Sequence, residues 1–424
     1  MNRRGILCGN ARPRPPSGTA GHLWDFFLMN IFHRRGAQSA QGGSDLTVLG
    51  KIWSQILPEL LRTRISWLFV LAIAMLSLIS LAAVKVCGPQ LFIRQQIHLA
   101  IGVAILLLAL IPGYRKIGAL SYFLYGISCL LLLAVLFSPA VKGSHRWFIL
   151  PGGMNFQPSE LAKITFVLTV AWSLRMHREC REFRKLLFPF ALMIPPMCLI
   201  LVESDLGTAL LFPPVLYAML IAAGARFRHL IAIALIVLAA APWTYTFLKP
   251  YQKQRIVALF THGKPTKAQL HGNLYQKQQS EIAEGSGALT GRGLRGADEI
   301  RHGLLPEAAN DFIFAVVGSQ WGFVGAVTIL VLYLLFFGGC LEIAGNSADP
   351  FGRLLVIGLS SMIILQAIIN IAMTTGLIPV VGITLPFMSY GGSAVAADML
   401  ATSLILNVAM RERFHRSALG LPPP

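Results

Sequence analysis

Apolar runs recur from Ile65 almost to the C-terminus, each ended by a short polar turn. A helix needs about 20 mostly apolar residues to cross the hydrocarbon core of a bilayer. Stretches that approach or meet this length lie at 65–84, 96–112, 117–137, 156–174, 186–202, 206–223, 230–247, 312–335, 354–373 and 394–410. The shorter ones are accommodated by tilt or by snorkelling flanks. The expected fold class is therefore an all-α polytopic membrane protein of about ten transmembrane helices. One long extracytoplasmic loop, 248–311, joins the seventh helix to the eighth. The expected organisation is a basic, flexible cytoplasmic extension over 1–60, a membrane domain over 61–410 and a cytoplasmic tail over 411–424.

Composition agrees with the pattern. Of the 424 residues, 55% are hydrophobic and 13% charged, against about 25% charged in soluble domains. The net charge of +18 would suit nucleic acid in a soluble chain. In a membrane chain it is first a statement about loops, and no nucleic-acid partner is expected. Arg175, Arg178, Arg181, Arg184 and Lys185 follow the fourth span, Arg226 and Arg228 the sixth, and Arg411, Arg413 and Arg416 the last. With ten spans these fall on the side of the arginine-rich N-terminus, which the positive-inside rule places in the cytoplasm. Both termini are then cytoplasmic, and the N-terminal extension can touch anionic membrane lipid. The long outer loop is also basic, with Lys249, Lys253, Arg255, Lys264, Lys267, Lys277, Arg292, Arg295 and Arg301. Loops of that length escape the rule, so its charge needs another reason. The six cysteines are scattered without metal-ligand spacing, so neither a zinc site nor a disulfide framework is expected. No repeat is apparent, which argues weakly against a transporter built by duplication.

Polar residues at membrane depth are costly and usually face a cavity or a partner. Four places carry them. Gly143-Ser-His-Arg-Trp147 is followed by Phe156-Gln-Pro-Ser-Glu-Leu-Ala-Lys163, where Glu160 and Lys163 share one helix face. They form either a buried structural ion pair or a polar cavity wall, with Arg146 near a phosphate. In Glu203-Ser-Asp-Leu-Gly-Thr208, Asp205 either caps a helix or serves chemistry. In the outer loop, Gln278-Gln-Ser280 leads to Gly285-Ser-Gly-Ala-Leu-Thr-Gly-Arg-Gly293, which lacks the pattern of a nucleotide-binding P-loop. Pro306-Glu307-Ala-Ala-Asn-Asp311 then re-enters the membrane. Asp311 is a helix cap or a chemical carboxylate. Finally, Asn370 to Ser393 contains Pro and Gly breaks, tolerated at membrane depth only against protein or a wet cavity.

These motifs, in this order, resemble the SEDS family, the FtsW/RodA proteins of bacteria, and lean toward its RodA-like branch. The resemblance runs from about Ile65 to Met410 and rests on GSHRW, FQPSELAK, ESDLGTALLF, YQKQR, the QQS and GSG loop, PEAANDFIFAVVG and NIAMTTGLIPVVGITLPFMSYGGSA. It implies a multi-pass protein of the bacterial cytoplasmic (inner) membrane. The implied activity is that of a peptidoglycan glycosyltransferase polymerising lipid II at the outer membrane face during elongation or division, beside a class B penicillin-binding protein transpeptidase. It implies Asp311 as the catalytic carboxylate. It further implies substrate contacts within the motifs, at Arg146, Trp147, Gln157, Ser159, Glu160, Lys163, Asp205, Arg255, Ser280, Glu307, Ser389, Gly391 and Ser393. The leaving pyrophosphate would be met by cations, with or without a divalent metal such as Mg or Mn. Competing readings are a flippase for the lipid-linked precursor and a non-catalytic scaffold. The chain departs from the family's usual pattern at Glu203-Ser204 (usually Gln-Pro), at Glu284, at Ala309-Asn310 (usually His-Thr) and at Ser319-Gln320 (usually Glu-Glu).

Overall fold

The computed structural model describes residues 67–139, 144–150, 154–175, 183–247, 273–293 and 305–418. All belong to one compact unit, Pro58–Pro424. The expected extension over 1–60, Arg255 and much of the outer loop fall outside the described residues.

Helices occupy every stretch that the apolar pattern marks. They are α1 (Trp67–Cys87), α2 (Pro89–Leu110), α3 (Tyr114–Ala119), α4 (Ser121–Val135), α5 (Pro158–Leu174), α6 (Phe183–Val202), α7 (Leu206–Ala222), α8 (Phe227–Phe247), α9 (Asn273–Ser286), α10 (Ile313–Asn346), α11 (Pro350–Thr374) and α12 (Gly392–Ala418). Among the described residues, five are long and apolar enough to cross a membrane, and four shorter helices are apolar. A small hairpin, β1 (Phe148–Leu150) with β2 (Met154–Phe156), precedes α5, with Phe148 opposite Phe156.

The bundle is built around α5, α11 and α12. α12 lies against α2, α10 against α1, and α11 against α7 and α5. On α5 almost every side chain is buried, Glu160 and Lys163 included. α2 instead exposes Ile93, Ile97, Ile101, Val103 and Leu108, the surface expected of a helix facing lipid tails. Prolines inside α6 (Pro189, Pro195, Pro196) and α7 (Pro213, Pro214) remove backbone donors. Neighbouring helices make such losses tolerable at membrane depth.

Three features differ from the apolar pattern. The third stretch is broken at Leu120 into α3 and α4, beside Gly118, where any side chain would collide with Phe351 and Trp172. The outer loop contains a helix, α9, which buries Ser280 and Ala283 against α10 and α11. Its polar sequence masks that short apolar edge. α10 continues to Asn346 and breaks at Gly322, whose φ of 61° and ψ of −154° are not helical. Beyond the break, Phe323–Asn346 supplies about 36 Å of helix, enough to span the bilayer. Before it, the short segment from Ile313 to Gln320 is buried on every side.

Candidate active site

The α10 break explains the glycine-rich loop. A kinked helix exposes backbone groups that must find partners inside a membrane protein. Here the loop after α9 provides them. Phe323 N–H donates to the Ala288 carbonyl (2.9 Å) and Val324 N–H to that of Leu289 (3.1 Å), while Arg292 N–H donates to the Ser319 carbonyl (3.0 Å). Gly287 and Gly291 lie so close to the carbonyls of Gly318 and Gln320 that a Cβ at either would overlap them. The loop therefore completes the helix ladder with its backbone. Ser319 and Gln320, where the family usually carries two glutamates, are buried in this same region.

At the other end of the short α10 segment stands Asp311. Residues 305–312 form a turn in which the Glu307 carbonyl accepts from the N–H groups of Asn310 (3.0 Å) and Asp311 (3.1 Å). Glu307 has a φ of 55°, and its carboxylate accepts from Asn310 Nδ2 at 2.6 Å. The cap position of α10 is Phe312, so Asp311 stands one residue outside the helix. A carboxylate there lies near the positive end of the helix dipole.

Three successive carbonyls before α10 are each held by a distant part of the chain. Ala309 C=O accepts from Tyr390 N–H (2.8 Å), Asn310 C=O from Ser389 Oγ (2.5 Å) and Asp311 C=O from Asn370 Nδ2 (2.8 Å). The same Asn370 amide also donates to Ile383 C=O at 2.6 Å. The irregular stretch between α11 and α12 is itself pinned from several helices. Ser80 donates to Met388 C=O, Gln95 to Ser389 C=O and Tyr333 to Pro386 C=O, while Asp398 accepts from Phe387 N–H. Gly382, with φ of 76°, faces the Asp311 carboxylate. A Cβ built there would lie 3.4 Å from Asp311 Oδ2 and, its chain neighbours aside, meet no other atom of the described residues within 4 Å. Among the described residues, only this carboxylate stands over the missing Cβ of Gly382.

The segment 381–384 joins this mouth to the bundle interior. Lys163 Nζ donates to Glu160 (3.0 Å) and to Gln366 Oε1 (2.7 Å), and Gln366 Nε2 donates to Thr384 C=O (3.0 Å). Glu160 and Lys163 are thus a buried ion pair, and Lys163 also borders a narrow apolar crevice with Phe166, Phe212 and Met362. Gly207, at the start of α7, is packed flush against Ile383 and the Val381 carbonyl.

A second polar cluster forms where the hairpin meets α6, α7 and α12. Arg146 donates to the carbonyls of Glu203 (3.1 Å) and Ser204, and its Nη1 lies 4.0 Å from Asp205 Oδ1. Asp205 caps α7 through Thr208 N–H (3.2 Å) and also accepts from Thr208 Oγ1 (2.9 Å) and Gln157 Nε2 (3.1 Å). Ser393 Oγ accepts from Gln157 N–H and donates to Asn155 C=O, fastening the hairpin to the first turn of α12. Glu203 is buried, with no partner for either carboxylate oxygen among the described residues. Burial first, and Asp205 second, push its carboxyl up to about 8 against the pull of Arg146.

Of the remaining expected contacts, Ser280 donates to Thr374 C=O at 2.8 Å. Ser159 is buried at the start of α5, Trp147 is half-buried before β1, and Gly391 immediately precedes α12. Ser389 spends its hydroxyl on the Asn310 carbonyl and on Leu385 N–H, so it shapes the mouth through backbone. The structure thus gathers Asp311, Glu307 and Ser389 in one place and Arg146, Gln157, Asp205 and Ser393 in another, with Glu160 and Lys163 reaching the first through Gln366. Reading the residues singly missed Gln366 and Gly382 as site residues, and gave Asn370 no role. The signal was there for Asn370, an amide in the middle of an apolar run.

Among the described residues no three His, Cys, Asp or Glu side chains gather to hold a metal ion.

The sequence matches the family described as cell cycle protein, FtsW/RodA/SpoVE, over residues 59–414. It is 35% identical to a probable peptidoglycan glycosyltransferase FtsW of Geobacter metallireducens over 75% of this chain and 84% of that one. It is 33% identical to the peptidoglycan glycosyltransferase MrdB of Helicobacter pylori, over 75% and 83%. A solved chain from a peptidoglycan synthase complex, described in terms of coordinated polymerization and crosslinking, superposes with a TM-score of 0.70 at 28% identity. It covers 82% of this chain and 98% of that one.

Proposed function

Because the chain belongs to the FtsW/RodA/SpoVE family of cell cycle proteins, we propose that it is a peptidoglycan glycosyltransferase with Asp311 as its general base. It is a multi-pass membrane protein, and we take its substrate to be lipid II, met at the outer face of the bacterial cytoplasmic membrane during elongation or division. The basic turn at Arg226 and Arg228 supports that orientation, with ten crossings and both termini inside. The observation that carries the reading is the setting of Asp311. Its backbone is tied by Asn370, and its carboxylate faces Gly382.

The chemistry needs such a group. A sugar hydroxyl of the acceptor must lose its proton as it attacks the anomeric carbon of the donor, and the donor's polyprenyl pyrophosphate must leave. A carboxylate within hydrogen-bond reach of the hydroxyl takes that proton. Electrostatic stabilisation of the pyrophosphate falls to cationic groups. Arg146 is largely engaged with carbonyls at the end of α6 and Lys163 with Glu160 and Gln366, so the basic outer loop is the better source. The synthase complex among the structural relatives supports a class B penicillin-binding protein as the transpeptidase partner.

The test is polymerisation of lipid II by the purified protein with its transpeptidase. Asp311→Asn is expected to keep the melting temperature and lower the rate by about 100-fold or more. Wild-type rates from that variant would remove Asp311 from the role.

A further inference from the structure

Asn370 is a costly residue for its place. It lies within the apolar helix α11, it is wholly buried, and its Oδ1 finds no partner among the described residues. Asn is also a poor helix former. Polar groups retained at such depth usually serve a function.

What Asn370 does is specific. One nitrogen, Nδ2, reaches two carbonyls from separate parts of the chain, Asp311 C=O at 2.8 Å and Ile383 C=O at 2.6 Å. The first belongs to the residue that carries the carboxylate, just outside α10. The second follows Gly382, the residue that faces that carboxylate. The amide therefore fixes the two sides of the mouth relative to one another. Its neighbours on α11 reinforce the arrangement. Gln366, one turn earlier, holds Thr384 C=O, and Thr374, one turn later, receives Ser280 of the outer loop helix.

We infer that Asn370 is a positioning residue, holding the Asp311 backbone so that its carboxylate faces Gly382. The inference rests on the glycosyltransferase reading and deepens it. Asn370 touches no substrate. It sets the distance and direction from which Asp311 takes the proton. Displacing a reacting group by about 1 Å costs about 100-fold in rate.

The experiment uses the full chain with its transpeptidase and lipid II, comparing wild type with Asn370→Ala, Asn370→Ser and Asp311→Asn. Asn370→Ala removes both hydrogen bonds, and Asn370→Ser restores one donor without added bulk. Asn370→Ala is expected to lower kcat by about 10- to 100-fold while KM for lipid II stays within about twofold, and Asn370→Ser to recover part of the loss. The acidic limb of the kcat–pH profile, set by Asp311, is expected to shift in Asn370→Ala. A merely structural defect would scale kcat equally at every pH and leave that limb in place. Wild-type kcat in Asn370→Ala overturns the inference, as does a loss that follows the melting temperature with an unmoved limb. Both results leave the function standing if Asp311→Asn is inactive. A wild-type protein that does not polymerise lipid II overturns the function itself.

Discussion

Gly382 is defined by what it lacks. At φ of 76°, a residue with a Cβ carries a penalty of roughly 1–2 kcal/mol. The methyl of Gly382→Ala would also stand 3.4 Å from Asp311 Oδ2, on the side where the proposed mechanism places the acceptor sugar. That substitution is expected to slow polymerisation by about 10-fold while the chain still folds. Initial rates against lipid II concentration measure it, and unchanged rates would show that the space is not used. Asp311 and Glu160–Lys163 were legible as residues because carboxylates and ammonium groups stand out in apolar sequence. Gly382 was not, because its role depends on a backbone conformation and on a carboxylate 71 positions away in sequence. The Ser389 hydroxyl looked like a substrate contact for the opposite reason. Its residue type advertised hydrogen bonding, and only the fold reveals that the partners are backbone groups.

Among the elements, α9 and the glycine-rich loop behave as one unit docked on α10 and α11. Glu284 sits in that interface, with Oε1 buried and without a partner. Burial pushes its carboxyl up to about 7 from an ordinary value of 4.5, with Glu281 adding to the rise and a bond to Thr374 opposing it. An acid raised in the docked state favours docking at low pH. Docking is fully supported below the ordinary value, weakens as the pH climbs from about 4.5 to about 7, and gains nothing from Glu284 above that. Amide exchange over 273–293 is expected to be slower at pH 6 than at pH 8 beyond the intrinsic effect of pH. Glu284→Gln should abolish the difference, and a persisting difference would place the titrating group elsewhere. The helices of the bundle were readable from apolar runs alone. α9 was not, because only a narrow edge of it is buried, and neither was the break at Gly322, because an apolar sequence runs straight through it.

For the whole molecule, orientation is the property with the clearest physical test. Leu289 lies in the outer loop and Arg226 in a basic turn, and both are exposed. With native cysteines replaced, Leu289→Cys is expected to react with a membrane-impermeant maleimide in intact spheroplasts, and Arg226→Cys only after lysis. The reverse pattern would invert the bundle and remove Asp311 from the outer face. The order of motifs carried the family and its architecture. The connections between motifs did not show in it, since Asn370 to Asp311, Gln366 to Thr384 and Gly207 to Val381 join segments with no sequence relation.

The backbone bonds between the glycine-rich loop and the α10 break bear on how the chain is made. The loop precedes α10 in sequence, so it is synthesised first and, in the proposed orientation, exported first. Its carbonyls and N–H groups then exist before those of the α10 break, and the interrupted ladder can close as α10 inserts. Moving this loop to a point after α10, as a circular permutation would, leaves an open stretch of backbone in the bilayer during insertion. A permuted chain is therefore expected to be a target for membrane proteases, even where its finished fold would be the same.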